Sequence, residues 1–218
     1  MLENPVWAAL AGPQACFAEA SGDAARYSSD IAPFCALADP EDPAAWRDLA
    51  TLTDHALLTG PKLSPGPGWE QVEVLPGVQM AGHGMTGVDD PEAVPLTQAD
   101  VPEILDLVER AQPGPFRKRT IELGRYLGIR HEGRLIAMAG ERFHQPGWRE
   151  VSAVCTDPGF RGRGLGARLT LAVAAGILGR GELPFLHAAA DNTEAIRLYD
   201  RLGFEPSHEV VFASYRRV

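Results

Sequence analysis

From Val151 to Ala167 the chain reads Val-Ser-Ala-Val-Cys-Thr, then Asp-Pro-Gly-Phe, then Arg161-Gly162-Arg163-Gly164-Leu165-Gly166-Ala167. This is the pattern of a strand, a short loop and a glycine-rich helix start. Closely spaced glycines at that point leave several backbone N–H groups unobstructed, aimed the same way at the positive end of the helix dipole. Such a cradle suits an anion, and phosphate best of all. Arg161, Arg163 and Arg168 concentrate positive charge beside it, in the planar form that matches phosphate oxygens. Taken alone, six residues of this kind also describe a flexible loop capping a helix.

Two phosphate-binding patterns compete for these glycines. Gly162, Gly164 and Ala167 fit the dinucleotide spacing G-x-G-x-x-G/A, but in that motif the first glycine closes a turn directly off the strand. Here Pro158 and further loop residues separate Thr156 from Gly162. Nor does any acidic residue beyond Glu182 stand about 20 residues past the glycines at the end of a second parallel strand. The second pattern, R-x-x-G-x-G/A, is filled by Arg161, Gly164 and Gly166 after Asp157-Pro158.

Downstream lies a second segment, Asp191-Asn192-Thr193-Glu194-Ala195-Ile196-Arg197-Leu198-Tyr199-Asp200-Arg201-Leu202-Gly203-Phe204. Asp191 or Asn192 is expected to cap a helix, with Glu194 closing a capping box on Asp191. Ala195, Leu198, Tyr199 and Leu202 form its apolar stripe and Gly203 ends it. With both segments in this order, the chain resembles the GNAT superfamily of acyl-CoA-dependent N-acyltransferases. They match its R-x-x-G-x-G/A loop and its N-x-x-A-x-x-x-Y-x-x-x-G-F helix over roughly the C-terminal quarter.

The resemblance implies acetyl-CoA as cosubstrate and a primary amine as acceptor, joined by direct attack through a tetrahedral intermediate. The pyrophosphate would sit on Arg161, Gly162, Arg163, Gly164, Leu165, Gly166 and Ala167. The pantetheine arm would enter a V-shaped cleft between two strands, bonding the backbone of Val154 and Thr156. An N–H near Val154 or Cys155 would face the thioester oxygen, and Asn192 would contact the pantetheine or its phosphate end. Tyr199 matches the family's general acid. An alkylamine is mostly protonated at neutral pH, so a base is needed; Glu150 is the first candidate and Glu141 the second. His187 and His144 read as packed or surface histidines. Cys155 would allow an acyl-cysteine route, but a strand cysteine is usually a small core residue.

Elements to position these groups are legible around them. The segment 82–92 has little apolar periodicity and several turn-formers, which marks a linker between residues 1–92 and 93–218. The C-terminal part is expected to run strand at Val94, helix after Thr97, a second short helix over Phe116–Leu123, a hairpin of Tyr126–Arg130 and Leu135–Phe143, and the Val151 strand. The glycine-loop helix, a strand over Phe185–Ala189, the Asn192 helix and a last strand over Glu209–Tyr215 complete it. That order is the α+β GNAT architecture, a mostly antiparallel sheet flanked by helices. The N-terminal part is expected to hold helices over Pro5–Leu10 and Ala44–Leu52 and strands over His55–Thr59 and Glu70–Met80. It carries no glycine cradle, and reads as a degenerate acyltransferase-like unit or as an unrelated small α/β domain.

With 218 residues and 45% hydrophobic side chains the chain can bury a substantial core. A net charge of −9 argues against general nucleic-acid binding and welcomes a cationic substrate. No basic segment precedes an apolar run at the start, and no apolar stretch nears the roughly 20 residues of a membrane span, so the cytoplasm is expected. Three cysteines, Cys16, Cys35 and Cys155, lack metal-ligand spacing, so neither a disulfide framework nor a metal is expected. A homodimer is compatible with the sequence. A non-catalytic acyl-CoA binding or sensing module is the alternative to an enzyme. The acceptor stays open among amino acid, polyamine, aminoglycoside, peptide N-terminus and lysine side chain.

Overall fold

The computed structural model describes residues 2–218. Its order is α1 (Pro5–Leu10), β1 (Ala18–Ser21), β2 (Ala24–Tyr27), β3 (Cys35–Leu37), α2 (Pro43–Leu52), β4 (His55–Gly60) and β5 (Trp69–Ala81). The second half continues with β6 (Val94–Leu96), α3 (Val101–Ala111), β7 (Tyr126–His131), β8 (Arg134–Gln145) and β9 (Trp148–Thr156). Then come α4 (Leu165–Leu178), β10 (Leu183–Ala189), α5 (Thr193–Arg201) and β11 (Glu205–Arg217). The α+β fold and the C-terminal element order are as expected. The anticipated helix over Phe116–Leu123 is only a 3-10 turn at Thr120–Leu123, because Pro113-Gly114-Pro115 precedes it and Gly124 comes directly after. The last strand is longer than its apolar run suggested, since its polar ends still pair with β5.

Eight strands form one sheet in the order β4-β11-β5-β10-β9-β8-β7-β6, and β1-β2-β3 form a second, smaller sheet. The halves therefore share a sheet. β5, from the first half, lies between β10 and β11; β11, from the second, lies between β4 and β5. Each half thus places its last strand between the other's final two. Around this exchange the halves repeat one another: three antiparallel strands, a helix, then a strand parallel to the third, by the bridge Phe34↔Leu57 in the first half and by Leu183–Phe185 on Trp148–Glu150 in the second.

The sheet's two faces have separate cores. One packs α4 and α5 against Met80, Val151, Leu186 and Phe204; the other packs α1 and β2 against Phe143 and Phe185. The expected linker is no free tether. Arg168 of α4 pairs with Asp90 and Glu92, Val88 N–H donates to the Leu171 carbonyl, and a Cβ on Gly87 would lie 2.2 Å from the Ala175 Cα. Among the described residues no helix is long and apolar enough to cross a membrane.

Residues 93–218 expressed alone would leave β10 and β11 without the strand that joins them. We expect that fragment to lack a cooperative thermal transition by circular dichroism, and co-expression with residues 1–92 to restore one. A sharp transition in the isolated fragment would contradict the shared-sheet requirement.

Candidate active site

The glycine loop has the backbone its sequence calls for. Gly162 and Gly164 have φ of 77° and 73°, conformations that a side chain would strain. A Cβ at either would meet open space, while one at Gly166 would touch Val154 and Thr156. Gly164 is the N-cap of α4 with no side-chain capping bond, so the first N–H groups of that helix, from Leu165 to Ala167, have no side-chain acceptor in front of them. The loop is held from behind by Asp157. Its carboxylate accepts from Gly159 N–H at 2.9 Å and pairs with Arg110 and Arg134, both at 2.9 Å. The Gly159 hydrogen bond, against a cost of desolvation and with help from both arginines, lowers the Asp157 pKa. Arg161 and Arg163 are exposed, Arg163 resting 4.8 Å over the Phe160 ring. Arg168 is committed elsewhere, to Asp90 and Glu92, and is removed from the expected phosphate cluster.

Beside the loop, β9 and β10 part. Their parallel pairing covers Trp148–Glu150 against Leu183–Phe185 and stops there. Among the described residues the edge of β9 facing β10 has no ladder partner from Val151 to Thr156. On its other edge, the pairing with β8 slips between Ser152 and Cys155, and Ala153 sits in the slip with φ of 54°. An extra residue of this kind bends a strand and frees backbone donors. Val154 and Thr156 are half-buried and Cys155 is buried. Burial pushes the Cys155 thiol up to about 12, which leaves it protonated at neutral pH and a poor nucleophile.

Tyr199 projects from α5 into the core beside α4, 9% exposed, its ring edge-on to Phe204. Its hydroxyl makes no hydrogen bond to the described residues, and burial raises its pKa to about 12. Asn192, rather than Asp191, caps α5: its Oδ1 accepts from Ala195 N–H at 3.2 Å. The capping box expected from Glu194 to Asp191 is absent among the described hydrogen bonds.

Glu150 stands at the point of parting, fully buried, on the face opposite α4. Its two oxygens accept from Arg142 Nε and Nη2, both at 2.6 Å, and Oε1 also lies 2.7 Å from His187 Nδ1. Burial alone would raise this carboxyl; Arg142 and His187 outweigh it and hold the pKa at about 2. A carboxylate so stabilised is a weak base, which corrects the simple expectation that Glu150 removes the proton itself. Glu141, the second candidate, is also buried and locked to Arg149 and Arg180. His187, read from sequence as a packed or surface histidine, has a side chain only 2% exposed, and its Nε2 has no partner among the described residues. The partnership with Glu150 joins β9 and β10, so only the register at Phe185↔Glu150 reveals it. Among the described residues no group of three or more His, Cys, Asp or Glu is placed to hold a metal ion.

The FR47-like protein family matches residues 126–213, which span the strands and helices that build this cleft. A mycothiol acetyltransferase of Mycobacterium sp. (strain MCS) is 33% identical over 67% of the chain and 51% of that relative. That of Nocardia farcinica is 44% identical over 32% of the chain and 24% of its own length. The chain thus spans about half or less of the curated relatives it matches. A solved structure from Novosphingobium aromaticivorans, assigned to the GNAT family of acetyltransferases, is 41% identical over 100% of this chain and 98% of its own, with a TM-score of 0.92. The chain belongs to the GNAT superfamily. A second GNAT structure, from Kribbella flavida, shares the fold at 21% identity and a TM-score of 0.63 over 97% of the chain and 95% of its own. The GNAT resemblance of the glycine loop and the Asn192 helix is therefore borne out for family and fold.

Replacing Glu150 by Gln leaves Arg142 charged and buried without its partner, and is expected to cost about 3–5 kcal/mol by urea denaturation at neutral pH. Because the folded pKa lies below the ordinary 4.5, this stability is complete above that value and is lost as pH falls from there towards 2. The difference between the wild type and Glu150→Gln should shrink over that window; a difference independent of pH would remove the ion pair as its cause.

Proposed function

We propose that this GNAT protein transfers the acetyl group of acetyl-CoA to a primary amine. The observation that carries the reading is the end of β9–β10 pairing at Glu150 and Phe185, on the strand that leads through Asp157-Pro158 to the open glycine cradle. The open N–H groups at Gly162–Ala167 fit a pyrophosphate, and the unpaired edge of Val154–Thr156 fits the amides of a pantetheine arm. Acetyl-CoA supplies the activated acyl group, and the protein's residues do the rest. An N–H at Val154 or Cys155 faces the carbonyl oxygen and offsets the charge that develops there. Tyr199 keeps its proton throughout the neutral range and holds it for the leaving sulfur. His187 donates its Nδ1 hydrogen to Glu150, which fixes the tautomer and leaves the Nε2 lone pair to accept a proton. In this scheme Glu150 positions His187.

The acceptor is an amine, and the acidic chain favours a cationic one. Since the relatives are named for mycothiol, mycothiol-related amines belong first in an acceptor panel. A second reading, acyl-CoA binding without transfer, draws on the two carboxylates locked by arginines. Release of thiol from acetyl-CoA with any amine of the panel would exclude it, and the absence of release with all of them would favour it.

Gly164→Trp places a side chain where the phosphates approach. We expect acetyl-CoA affinity by calorimetry to fall at least about tenfold, or 1.4 kcal/mol, in a protein that still melts cooperatively. Unchanged affinity would sink the cradle.

Tyr199→Phe keeps the ring and removes the hydroxyl. Turnover should drop by about 10²-fold with little change in melting temperature. His187→Gln should lower turnover comparably while acetyl-CoA affinity holds. Wild-type rates in either variant would remove that residue from the chemistry.

A further inference from the structure

Where β8 passes Glu150 its ladder is irregular. The pairing with β9 runs to Glu141↔Val151 and resumes at His144↔Arg149, so Arg142 and Phe143 together stand against Glu150. This is a bulge, which bends a strand and re-aims its side chains. Here it turns the Arg142 guanidinium onto both oxygens of Glu150 and brings the Phe143 N–H to 3.4 Å from Oε2. β7 begins at Tyr126, opposite Gly140, so among the described residues no strand lies along the other edge of β8 at the bulge.

A side chain of the first half fills that place. Gln14, in the turn after α1 and 2% exposed, donates from Nε2 to the Arg142 carbonyl at 2.7 Å and to the Leu123 carbonyl at 3.3 Å. Its Oε1 accepts from the His144 N–H at 3.2 Å and from the Tyr27 hydroxyl at 2.6 Å. These are all four hydrogen bonds that a carboxamide can make, and the backbone partners permit only one orientation of it. Burial raises the Tyr27 pKa, so the phenol stays protonated and donates. Gln14 is itself pinned, its own N–H bonded to the Ala9 carbonyl at 2.9 Å. Phe34, also of the first half, lies 4.7 Å from the Arg142 guanidinium. It bridges Leu57 where β3 and β4 part, and beyond it a second cleft of about 320 Å³ opens between residues 35–41 and 58–63.

We propose that Gln14 is a positioning residue for the chemistry of the second half. A strand edge freed by a bulge needs partners for its buried polar groups, and Gln14 supplies them. The bulge aims Arg142, and Arg142 holds Glu150 so that Oε1 lies 2.7 Å from His187 Nδ1. His187 thereby keeps its lone pair at Nε2. Without Gln14 the Arg142 carbonyl and the His144 N–H lose their partner, β8 shifts at the bulge, and the guanidinium leaves the carboxylate that orients the imidazole. The role of His187 as a base rests on the transferase reading. The orientation of its ring is a property of the folded chain and is read without turnover.

The test uses the full chain. The imidazole nitrogen shifts of His187, assigned by their loss in His187→Gln, are read beside kcat, KM and calorimetric acetyl-CoA affinity. In the wild type Nδ1 should carry the hydrogen and Nε2 be bare. Gln14→Met keeps the length of the side chain and removes its four bonds. It should give a mixture of tautomers and lower kcat by about 10- to 100-fold, with acetyl-CoA affinity unchanged. Tyr27→Phe removes one of the four bonds and keeps the ring stacked on Phe143, so it should act in the same direction but more weakly. Trp46→Phe, in a separate core against Trp69 and Tyr215, should lower the melting temperature and leave the tautomer and kcat as they are. A folded Gln14→Met with the wild-type tautomer and kcat would overturn the proposal, and so would Trp46→Phe matching it in tautomer loss. Should Gln14→Met not fold, unchanged His187 shifts and kcat in Tyr27→Phe would overturn it equally. A wild type that releases no thiol with any amine counts against the transferase reading alone, and the His187 shifts still decide this inference.

Discussion

The pairing of β5 with β11 is the interaction on which the rest of the molecule depends. It runs antiparallel from Trp69↔Arg217 to Ala81↔Glu205, and it is where the final strands of the two halves meet. β10 reaches β11 only through β5, and β4 reaches β5 only through β11. Both faces of the joined sheet are then available for packing: α4 and α5 cover one, and the first half's α1 and small sheet cover the other. The C-terminal cleft is thus bounded on one side by a strand, β10, that is itself anchored to the first half.

At the cleft the same arrangement sets the electrostatics. Arg142 reaches Glu150 across β8 and β9, and its guanidinium stacks over Phe34 at 4.7 Å and Phe143 at 4.4 Å. Phe34 is also the residue that bridges β3 to β4. The points where the two strand pairs separate are therefore linked through one arginine. Two charges removed from water are tolerated here because the pair is bidentate and His187 occupies a further acceptor position on the carboxylate.

Much of the C-terminal half was legible in the sequence because its signals are local. A glycine cradle, an Asp-Pro turn and a capped amphipathic helix each declare themselves within a few residues, and Gly162, Gly164, Asn192 and Tyr199 occupy the places their spacing indicated. Three features lay beyond such reading. The strand exchange depends on pairings more than a hundred residues apart, for which β5 carries no distinguishing mark. The small sheet of β1, β2 and β3 has strands of only three or four residues, too short for alternation to show. The ion pairs that remove Glu150 and Glu141 from simple base chemistry come from register: a carboxylate at a strand start looks the same whether it faces water or an arginine. Ala153 in a left-handed conformation is invisible for another reason, since alanine is not a residue that announces one.

The exchanged strands also bear on how such a chain can change over time. In a protein of two separate domains, a half that loses its chemistry can be trimmed away residue by residue while the other continues to fold. Here deletion of the first half would take β5 from between β10 and β11, so loss of a function there gives no route to loss of the polypeptide. Its cleft differs in charge from the C-terminal one, as the acidic turn at Glu41-Asp42 shows, but the chain around that cleft supplies a strand to its partner's sheet. A second cleft is thereby kept in every copy of the protein, open to selection for a ligand.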